Sequence, residues 1–229
     1  MKMIDSNINF NEGYTLLIDK KLDWSSFDVV KKIRNITKSK KVGHAGTLDP
    51  LASGLLIICT GKHTKKINEF LNLDKTYTGK FVLGSTTPSH DLETEISETK
   101  SLSGINEKKI KDIAETFLGT QFQRPPKYSA VKVNGKRAYE LARRDEKVII
   151  EEKEIKVNSF DILDIKLPVI HFSISCSKGT YIRSLARDLG LELGCGAYLS
   201  ELRRTKIGNF DVDDASTIEE FEFNLKGKY

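Results

Sequence analysis

Alternation of apolar and polar side chains predicts β-strands in several parts of the chain. Successive side chains of a strand point to opposite faces of a sheet, so a period of two marks a half-buried strand. A short unbroken apolar run is typical of a strand that is buried on both faces. On this basis we expect strands at residues 14–18, 55–60, 77–83, 148–153, 155–165 and 170–176, with the fourth and fifth forming a hairpin.

Apolar residues at three- and four-residue spacing predict helices between these strands. The first helix follows Ser25-Ser-Phe-Asp28, which has the pattern of a capping box. Further helices are expected at residues 67–71, at residues 106–118 before Gly119, and from residue 182 to Gly194, since glycine commonly ends a helix. Residues 43–54 and the polar residues 85–103 are expected to be loops, the second of them exposed.

The order of these elements indicates the fold class. Helices and strands are interspersed without a regular β-α-β rhythm, which favours an α/β fold of the α+β type. The expected architecture is a mixed, largely antiparallel central sheet flanked by helices. Neither an internal repeat nor a low-complexity linker divides the chain, so we expect residues 1–229 to form a single domain.

The distribution of charge suggests a polyanionic partner. The formal net charge is only +5, from 37 basic and 32 acidic residues. Basic residues are segregated, however, into residues 31–41, 62–66, 127–137 and 203–206, whereas acids gather in residues 91–98, 151–154 and 211–222. Such segregation suits binding to a phosphate backbone. On composition alone, ordinary solvated surface lysines explain it equally well.

Several classes of protein and site are not expected. The longest apolar run, residues 54–59, is far shorter than the roughly 20 residues that cross a bilayer. Residues 1–13 are polar and lack the apolar core of a secretory signal, so a cytoplasmic location is expected. Cys59, Cys176 and Cys195 are far apart, which favours reduced buried thiols. The histidines and cysteines show no metal-ligand spacing, so no metal site is expected.

Residues 43–54 hold the most informative motif, Gly-His-Ala-Gly-Thr-Leu-Asp-Pro-Leu-Ala-Ser-Gly. Its glycines permit a positive φ or a close approach to a ligand. Pro50 disfavours the right-handed helical region for Asp49 and so restrains that carboxylate. An isolated Asp-Pro pair would be an ordinary turn. The complete string, however, closely resembles the signature loop of the tRNA pseudouridine-55 synthase family, which reads Gly-His-x-Gly-x-Leu-Asp-Pro-x-Ala-x-Gly.

The resemblance covers most of residues 14–210, in the order that the family shows. Further matching segments are Lys75-Thr-Tyr77, Pro126-Lys-Tyr-Ser-Ala-Val-Lys132, Tyr139-Glu-Leu-Ala-Arg143, Cys176-Ser-Lys-Gly-Thr-Tyr-Ile-Arg183 and Leu202-Arg-Arg204. One segment departs from the family. Where members usually have Lys-Pro-x-Gly, this chain has Lys20-Lys-Leu-Asp23, so this turn is expected to be built differently.

The resemblance implies an activity and a set of site residues. The family isomerises uridine 55 in the T loop of tRNA to pseudouridine, acting on a base that is flipped out of its stack. It implies Asp49 as the nucleophile, Arg183 as its cationic partner, and Tyr77 as the residue that stacks on the uracil and assists proton removal. Among the residues expected to bind the substrate, His44 fills the gap left by the flipped base, and Tyr181 and Leu202 line the base pocket. Gly46 and Thr47 contact the substrate from the loop. Lys20 and Lys132 are expected to contact phosphates.

Most of these residues are unremarkable without the resemblance. A lone tyrosine on an alternating strand, such as Tyr77, is more often packed in a core. Similarly, His44 alone would be an ordinary loop histidine, and Arg183 a surface charge or a phosphate contact. The apolar pattern around Tyr181 and Leu202 indicates only burial.

The isomerisation involves no redox step and loses no group, so neither a cofactor nor a metal is expected. The expected partner is the T-arm of tRNA, and the protein is expected to act as a monomer. Many family members continue into a C-terminal RNA-binding domain of the PUA type, and this chain is expected to be a short form without a separate one. Three alternatives stay open: a guide-RNA-dependent pseudouridine synthase, a non-catalytic tRNA chaperone of the same fold, and a generic basic RNA-binding module.

Overall fold

The computed structural model describes residues 8–133, 135–144, 146 and 148–226. Part of the N-terminal segment in which no secretory signal is expected, residues 1–7, therefore lies outside the described residues. The chain forms two compact units: residues up to Tyr77 together with those from Leu202 onward, and residues Thr78–Glu201. The expectation of a single domain stays a prediction.

The first unit is built on a sheet in which the central strand is the most apolar of the chain. Its elements are β1 (Tyr14–Lys20), α1 (Ser26–Thr37), β2 (Val42–His44), β3 (Ala52–Thr60), a 3₁₀ helix (Gly61–Lys66), α2 (Ile67–Leu71), β13 (Phe210–Asp211), a second 3₁₀ helix (Val212–Asp214) and α6 (Ile218–Lys226). Strand β3 pairs antiparallel with β1 and β2. Leu55, Leu56, Ile57 and Ile58 of β3 are fully buried, as expected for a strand covered on both faces.

The second unit contains the longest strands of the chain. Its elements are β4 (Lys75–Leu83), β5 (Ser85–Thr86), β6 (Glu98–Thr99), α3 (Glu107–Thr116), β7 (Gly119–Gln123), β8 (Lys132–Val133), β9 (Lys136–Arg137), α4 (Ala138–Ala142), β10 (Lys153–Lys166), β11 (Val169–Cys176), α5 (Ile182–Leu193) and β12 (Ala197–Ile207). Strands β4, β11, β10 and β7 are neighbours in that order, and β10 is antiparallel to both β11 and β7. The chain passes from one unit to the other within β4 and again within β12.

The fold class expected from the sequence is confirmed. Helices are interspersed with strands that mostly pair antiparallel, while residues 202–204 of β12 run parallel to residues 52–54 of β3. The capping box of α1 is present: Ser25 accepts from the backbone nitrogen of Asp28, and Asp28 accepts from that of Ser25. Among the described residues, no helix combines the length and the apolar character that a membrane span requires.

Two expectations about local structure are wrong. Residues 148–152 are not a strand, and the expected hairpin is absent, since Lys153 and residues 155–165 belong to one strand, β10, which begins opposite Gln123 of β7. Val148 and Ile150 instead pack with residues of α4. Residues 85–103 are not an exposed loop throughout. They contain β5 and β6, and Thr87, Ser89 and Asp91 are buried, with both hydroxyl groups donating to the carbonyl oxygen of Asp91.

Candidate active site

The signature loop connects β2 to β3 in the first unit and carries Asp49 near its end. The backbone nitrogen of Ala45 donates to the carbonyl oxygen of Ile57 at 2.9 Å, so the loop leaves the β2–β3 pairing at this point. The nitrogen of Ala52 donates to the carbonyl oxygen of Asp49 at 3.0 Å, which closes a tight turn over Pro50. The Asp49 side chain is half-buried, and Thr47 is exposed. The expected long loop is thus shorter, residues 45–51, and its two ends are held by hydrogen bonds.

Helix α1 fixes the middle of this loop through Ser26. The Ser26 hydroxyl donates to the carbonyl oxygen of Leu48 at 3.0 Å, and it accepts from the Leu48 backbone nitrogen at 2.8 Å. Both groups are buried, where an unpaired peptide group is costly. Because Ser26 lies in the first turn of α1, the capped start of that helix determines where the residue preceding Asp49 lies.

Arg204 of β12 is a buried cation that holds the beginning of the loop. Its side chain is 1% exposed. The Nε group donates to the carbonyl oxygen of Leu55 at 2.8 Å, and Nη2 donates to that of Gly46 at 3.1 Å. A guanidinium group offers several donors in a rigid plane, so one side chain can bond two carbonyl groups of different segments at once. Arg204 therefore joins the loop to the strand that follows it.

Lys20, at the end of β1, holds the other end of the loop. It is fully buried, and its Nζ donates to the carbonyl oxygens of Trp24 at 2.6 Å, Lys21 at 3.0 Å and Pro50 at 3.5 Å. Burial lowers its pKa to about 8, while the negative charges of Asp49 and Asp23 act in the opposite direction. The geometry favours a positioning role for Lys20 over the phosphate contact expected from the sequence.

Two glycines of the motif fit the requirements of this arrangement. Gly54 has a φ of +104° and is paired with Arg204 between β3 and β12. A Cβ atom at Gly54 would lie 2.3 Å from the carbonyl oxygen of Arg204. Gly46 has a φ of +97° beside the Arg204 guanidinium. A residue with a side chain adopts such φ values only at a cost, so both positions require glycine.

His44 lies at the end of β2, opposite Ile58, and is half-buried. Burial, and then the positive charge of Arg204, lower its pKa below the usual value of 6.5, although a hydrogen bond with the backbone of Gly46 opposes this. These effects favour the neutral form of the ring. Its Nδ1 atom is buried and makes no hydrogen bond within the described part of the chain.

Arg183 lies in the first turn of α5 in the second unit and is 4% exposed. Its Nη2 donates to the carbonyl oxygen of Tyr128 at 2.9 Å, and Nη1 donates to that of Ser89 at 3.3 Å. Nη1 also lies 3.3 Å from Oδ2 of the buried Asp91. The guanidinium group thus has a fixed orientation within its own unit, which a flexible surface arginine would not have.

The remaining predicted residues are distributed over both units. Leu202 pairs with Ala52 beside the signature loop, and Tyr77 is buried on β4, next to Thr76, whose carbonyl oxygen accepts from Thr205. Tyr181 precedes α5, where the buried Gln123 bonds both its nitrogen and its carbonyl oxygen. Lys132 is exposed in the small β8–β9 hairpin.

The first unit therefore brings Lys20, His44, Gly46, Asp49 and Leu202 together around one loop, while Tyr181 and Arg183 lie at the start of one helix in the second. Sequence reasoning did not assign a role to Ser26, Arg204 or Asp91. Their contacts join residues that are far apart in the chain: 22 positions separate Ser26 from Leu48, and 158 separate Arg204 from Gly46. The only signal in the sequence is that Ser26 and Arg204 both lie within residues 14–210, most of which resemble the family.

Two family models match the chain in succession. The model described as TruB family pseudouridylate synthase (N terminal domain) matches residues 34–182. The model described as tRNA pseudouridylate synthase B C-terminal domain matches residues 183–226. The signature loop, Tyr77 and Tyr181 fall within the first match, and Arg183, Leu202 and Arg204 within the second.

Relatives and solved structures agree with this assignment. A protein of Flavobacterium johnsoniae named tRNA pseudouridine synthase B is 51% identical, over 94% of this chain and 97% of its own length. One of the same name from Phocaeicola vulgatus is 47% identical over 93% of this chain. A solved Cbf5-Nop10-Gar1 complex contains a chain that is 29% identical, with a TM-score of 0.75 over 99% of this chain and 59% of that one.

The two family models together match residues 34–226, which contain the signature loop and the other segments that resemble the family. They confirm the resemblance on which the site assignment was based. The chain belongs to the TruB family of pseudouridylate synthases.

Proposed function

We propose that this protein isomerises uridine 55 in the T loop of tRNA to pseudouridine, with Asp49 as the nucleophile. The relatives that share about half of its sequence are named tRNA pseudouridine synthase B, which supports tRNA as the substrate. The observation that carries the proposal is the position of Asp49, in a loop whose backbone is fixed by Arg204 before it and by Lys20 after it.

The reaction suits a carboxylate in a rigid loop. The N1–C1′ glycosidic bond breaks, the uracil turns, a C5–C1′ bond forms, and the C5 proton leaves while N1 gains a proton. Atoms and electrons balance without a redox partner. A carboxyl group with the reference aspartate pKa of about 3.9 is ionised at neutral pH and so can attack either the base or the sugar. Fixing the nucleophile in its reactive position removes an entropic part of the barrier.

The other residues of the site complete the proposal. Arg183 is proposed as the cationic partner of Asp49, and Tyr77 as the aromatic residue that stacks on the uracil and assists proton removal. Tyr181 and Leu202 would line the base pocket, with Gly46 and Thr47 contacting the substrate. Extruding the uridine from its loop costs a few kcal/mol. The neutral ring of His44 is suited to filling the space left behind, because an apolar stack favours an uncharged imidazole.

Two alternative functions make different predictions. A guide-RNA-dependent synthase would need an added RNA, and a tRNA chaperone would need no nucleophile. The relatives at 45–51% identity carry the name tRNA pseudouridine synthase B, and we therefore favour that activity.

The test uses purified protein and an unmodified tRNA transcript labelled with tritium at uridine C5, without any added RNA, metal or protein. We expect release of about one tritium per tRNA, mapped to uridine 55, and none from a transcript with cytidine at that position. Release that requires an added guide RNA would favour the guided enzyme. Faster tRNA folding without any release would favour the chaperone, and modification in another loop would refute the assignment of uridine 55.

A further inference from the structure

The outward face of α1 carries an aromatic ring followed by cations. Phe27, Lys31 and Arg34 are all exposed, and their spacing of four and three residues places them on one side of the helix, about one turn apart. Lys38 follows at the C-terminal cap and is also exposed. The opposite side holds the buried Ser26, Val29, Val30 and Ile33. We call Phe27, Lys31, Arg34 and Lys38 the α1 stripe.

The three cations of the α1 stripe are only partly balanced by the one acid of this helix, Asp28, whose charge interacts with Lys31. No acidic residue occurs between Val29 and Leu48. The nearest acid in sequence, Asp28, is bonded to Ser25 through both the backbone nitrogen and the hydroxyl group. Lys32, which projects to another side of α1, forms an ion pair with Glu222. Among the described carboxylates, none forms an ion pair with a cation of the stripe, so the stripe presents a positive surface.

The stripe begins in the first turn of α1, and the opposite side of this turn contacts the loop that carries Asp49. Ser26, the neighbour of Phe27, bonds both backbone groups of Leu48. The turn before α1 is tied to the same loop, because the nitrogen of Asp23 donates to the carbonyl oxygen of Pro50 at 2.9 Å. Leu22 and Leu51, in the two segments that this bond joins, are exposed as well. Apolar surface therefore lies next to the signature loop, and the cations extend away from it.

We propose that the α1 stripe binds the strand of the substrate RNA that flanks the target uridine, with an unpaired base against Phe27 and phosphates against Lys31, Arg34 and Lys38. The inference rests on the proposed function, since it assigns a further contact to the same RNA. An exposed aromatic ring beside a row of cations suits single-stranded nucleic acid, in which bases stack and phosphates follow one another. The phenylalanine side chain is 66% exposed, and a base stacked on it would remove that apolar surface from water.

The cations are tested with a triple variant, Lys31→Gln, Arg34→Gln and Lys38→Gln. Glutamine is a good helix former, and these side chains are exposed, so folding is expected to be retained. The control is Lys108→Gln, Lys111→Gln and Lys156→Gln, which removes the same charge from exposed positions of the second unit. The affinity for the tRNA transcript is measured at several salt concentrations. We expect roughly tenfold weaker binding for the stripe variant and a salt slope that is smaller by about 2 to 3, because each phosphate contact contributes about 0.7 to 0.9.

The aromatic ring is tested with Phe27→Ser. Phe223 on α6 is the matched control, because it is 74% exposed in the same unit but lies among Glu219, Glu220 and Glu222, which repel RNA. We expect about tenfold weaker binding for Phe27→Ser, recovery in Phe27→Trp, and a change below twofold for Phe223→Ser, since stacking on an aromatic side chain contributes strongly to the binding of a base. Turnover at saturating tRNA is expected to stay within twofold of wild type in the triple glutamine variant of the stripe and in Phe27→Ser.

Equal affinities and salt slopes for the stripe and control variants would overturn the inference, as would equal effects of Phe27→Ser and Phe223→Ser. These outcomes are independent of the test of the proposed function. If wild-type protein converts uridine 55 but the stripe variants behave like their controls, only the inference fails. If wild-type protein releases no tritium from the transcript, the proposed function fails first.

Discussion

Arg204 donates a hydrogen bond to the carbonyl oxygen of Gly46, three residues before Asp49. The carbonyl oxygen of Arg204 itself approaches Gly54 so closely that a Cβ atom there would lie only 2.3 Å away. One residue of β12 thus determines both where the signature loop begins and how β3 starts after it. On the other side of Asp49, Lys20 contacts the carbonyl oxygen of Pro50. The carboxylate is positioned by buried cations that bond the backbone around it.

Replacing Arg204 with lysine is expected to lower turnover more than tRNA affinity. Lysine cannot bond the carbonyl groups of Gly46 and Leu55 with a planar fork, and each buried carbonyl left unpaired costs about 1–3 kcal/mol. We expect kcat to fall at least about tenfold while KM for tRNA changes less than about threefold. The control is Arg203→Lys, because Arg203 lies next in the strand but forms a more exposed ion pair with Asp19. Equal loss of kcat in both variants would contradict a positioning role for Arg204.

Replacing Gly54 with alanine is expected to destabilise the protein by more than about 3 kcal/mol, because the new Cβ atom would clash with the Arg204 backbone and the φ value is positive. Gly104→Ala separates these two causes. Gly104 also has a positive φ, +76°, but an added Cβ there meets no atom. Its cost is expected to be about 1–2 kcal/mol. Both are measured by urea denaturation, and similar losses for the two variants would show that the contact with Arg204 is unimportant.

Local sequence patterns predicted most elements of the fold because their causes are local. The capping box of Ser25 and Asp28 and the alternation along β11 depend only on near neighbours, and both are observed. The error at residues 148–152 has a long-range cause, since the partner of Lys153 is Gln123 on β7. No local pattern could have identified that pairing.

The same difference between local and long-range causes applies to the residues of the candidate site. Asp49 is predictable as a site residue because twelve consecutive residues resemble one family motif. The burial of Lys20 was not expected, because a lysine in a sequence is ordinarily exposed. Asp91 was missed for a similar reason: it lies in a polar segment, whose buried state depends on contacts with the distant Arg183.

The pH dependence of stability is expected to reveal the burial of Lys20. Its pKa is about 8 in the folded protein and 10.5 ordinarily, so between these values the unfolded chain holds the proton that the folded chain has lost. Folding stability from this group therefore rises with pH between about 8 and 10.5, by at most about 3 kcal/mol. In Lys20→Met this rise should be absent, whereas the exposed control Lys65→Met should retain it. Urea denaturation at pH 7.5 and 10 measures the difference, and parallel curves for wild type and Lys20→Met would contradict the burial.

Asp91→Asn is expected to disturb Arg183. Both side chains are buried, and removal of one charge from such a pair leaves the other less compensated. We expect a loss of stability of about 1–3 kcal/mol and a fall in kcat at temperatures where the variant is fully folded. Asp188→Asn is the control, because Asp188 pairs with Arg187 on the same helix but is more exposed. Unchanged stability and kcat in Asp91→Asn would show that the pair does not hold Arg183 in place.

The most direct measurement concerns Asp49 itself. Wild-type protein, Asp49→Asn and the exposed control Asp214→Asn are each mixed in excess with a transcript labelled at uridine C5, so that one turnover is observed independently of product release. We predict complete release of the label with wild type and Asp214→Asn, and none above background with Asp49→Asn, although that variant remains folded and binds tRNA. Release by Asp49→Asn at the wild-type rate would contradict the assignment of Asp49 as the nucleophile.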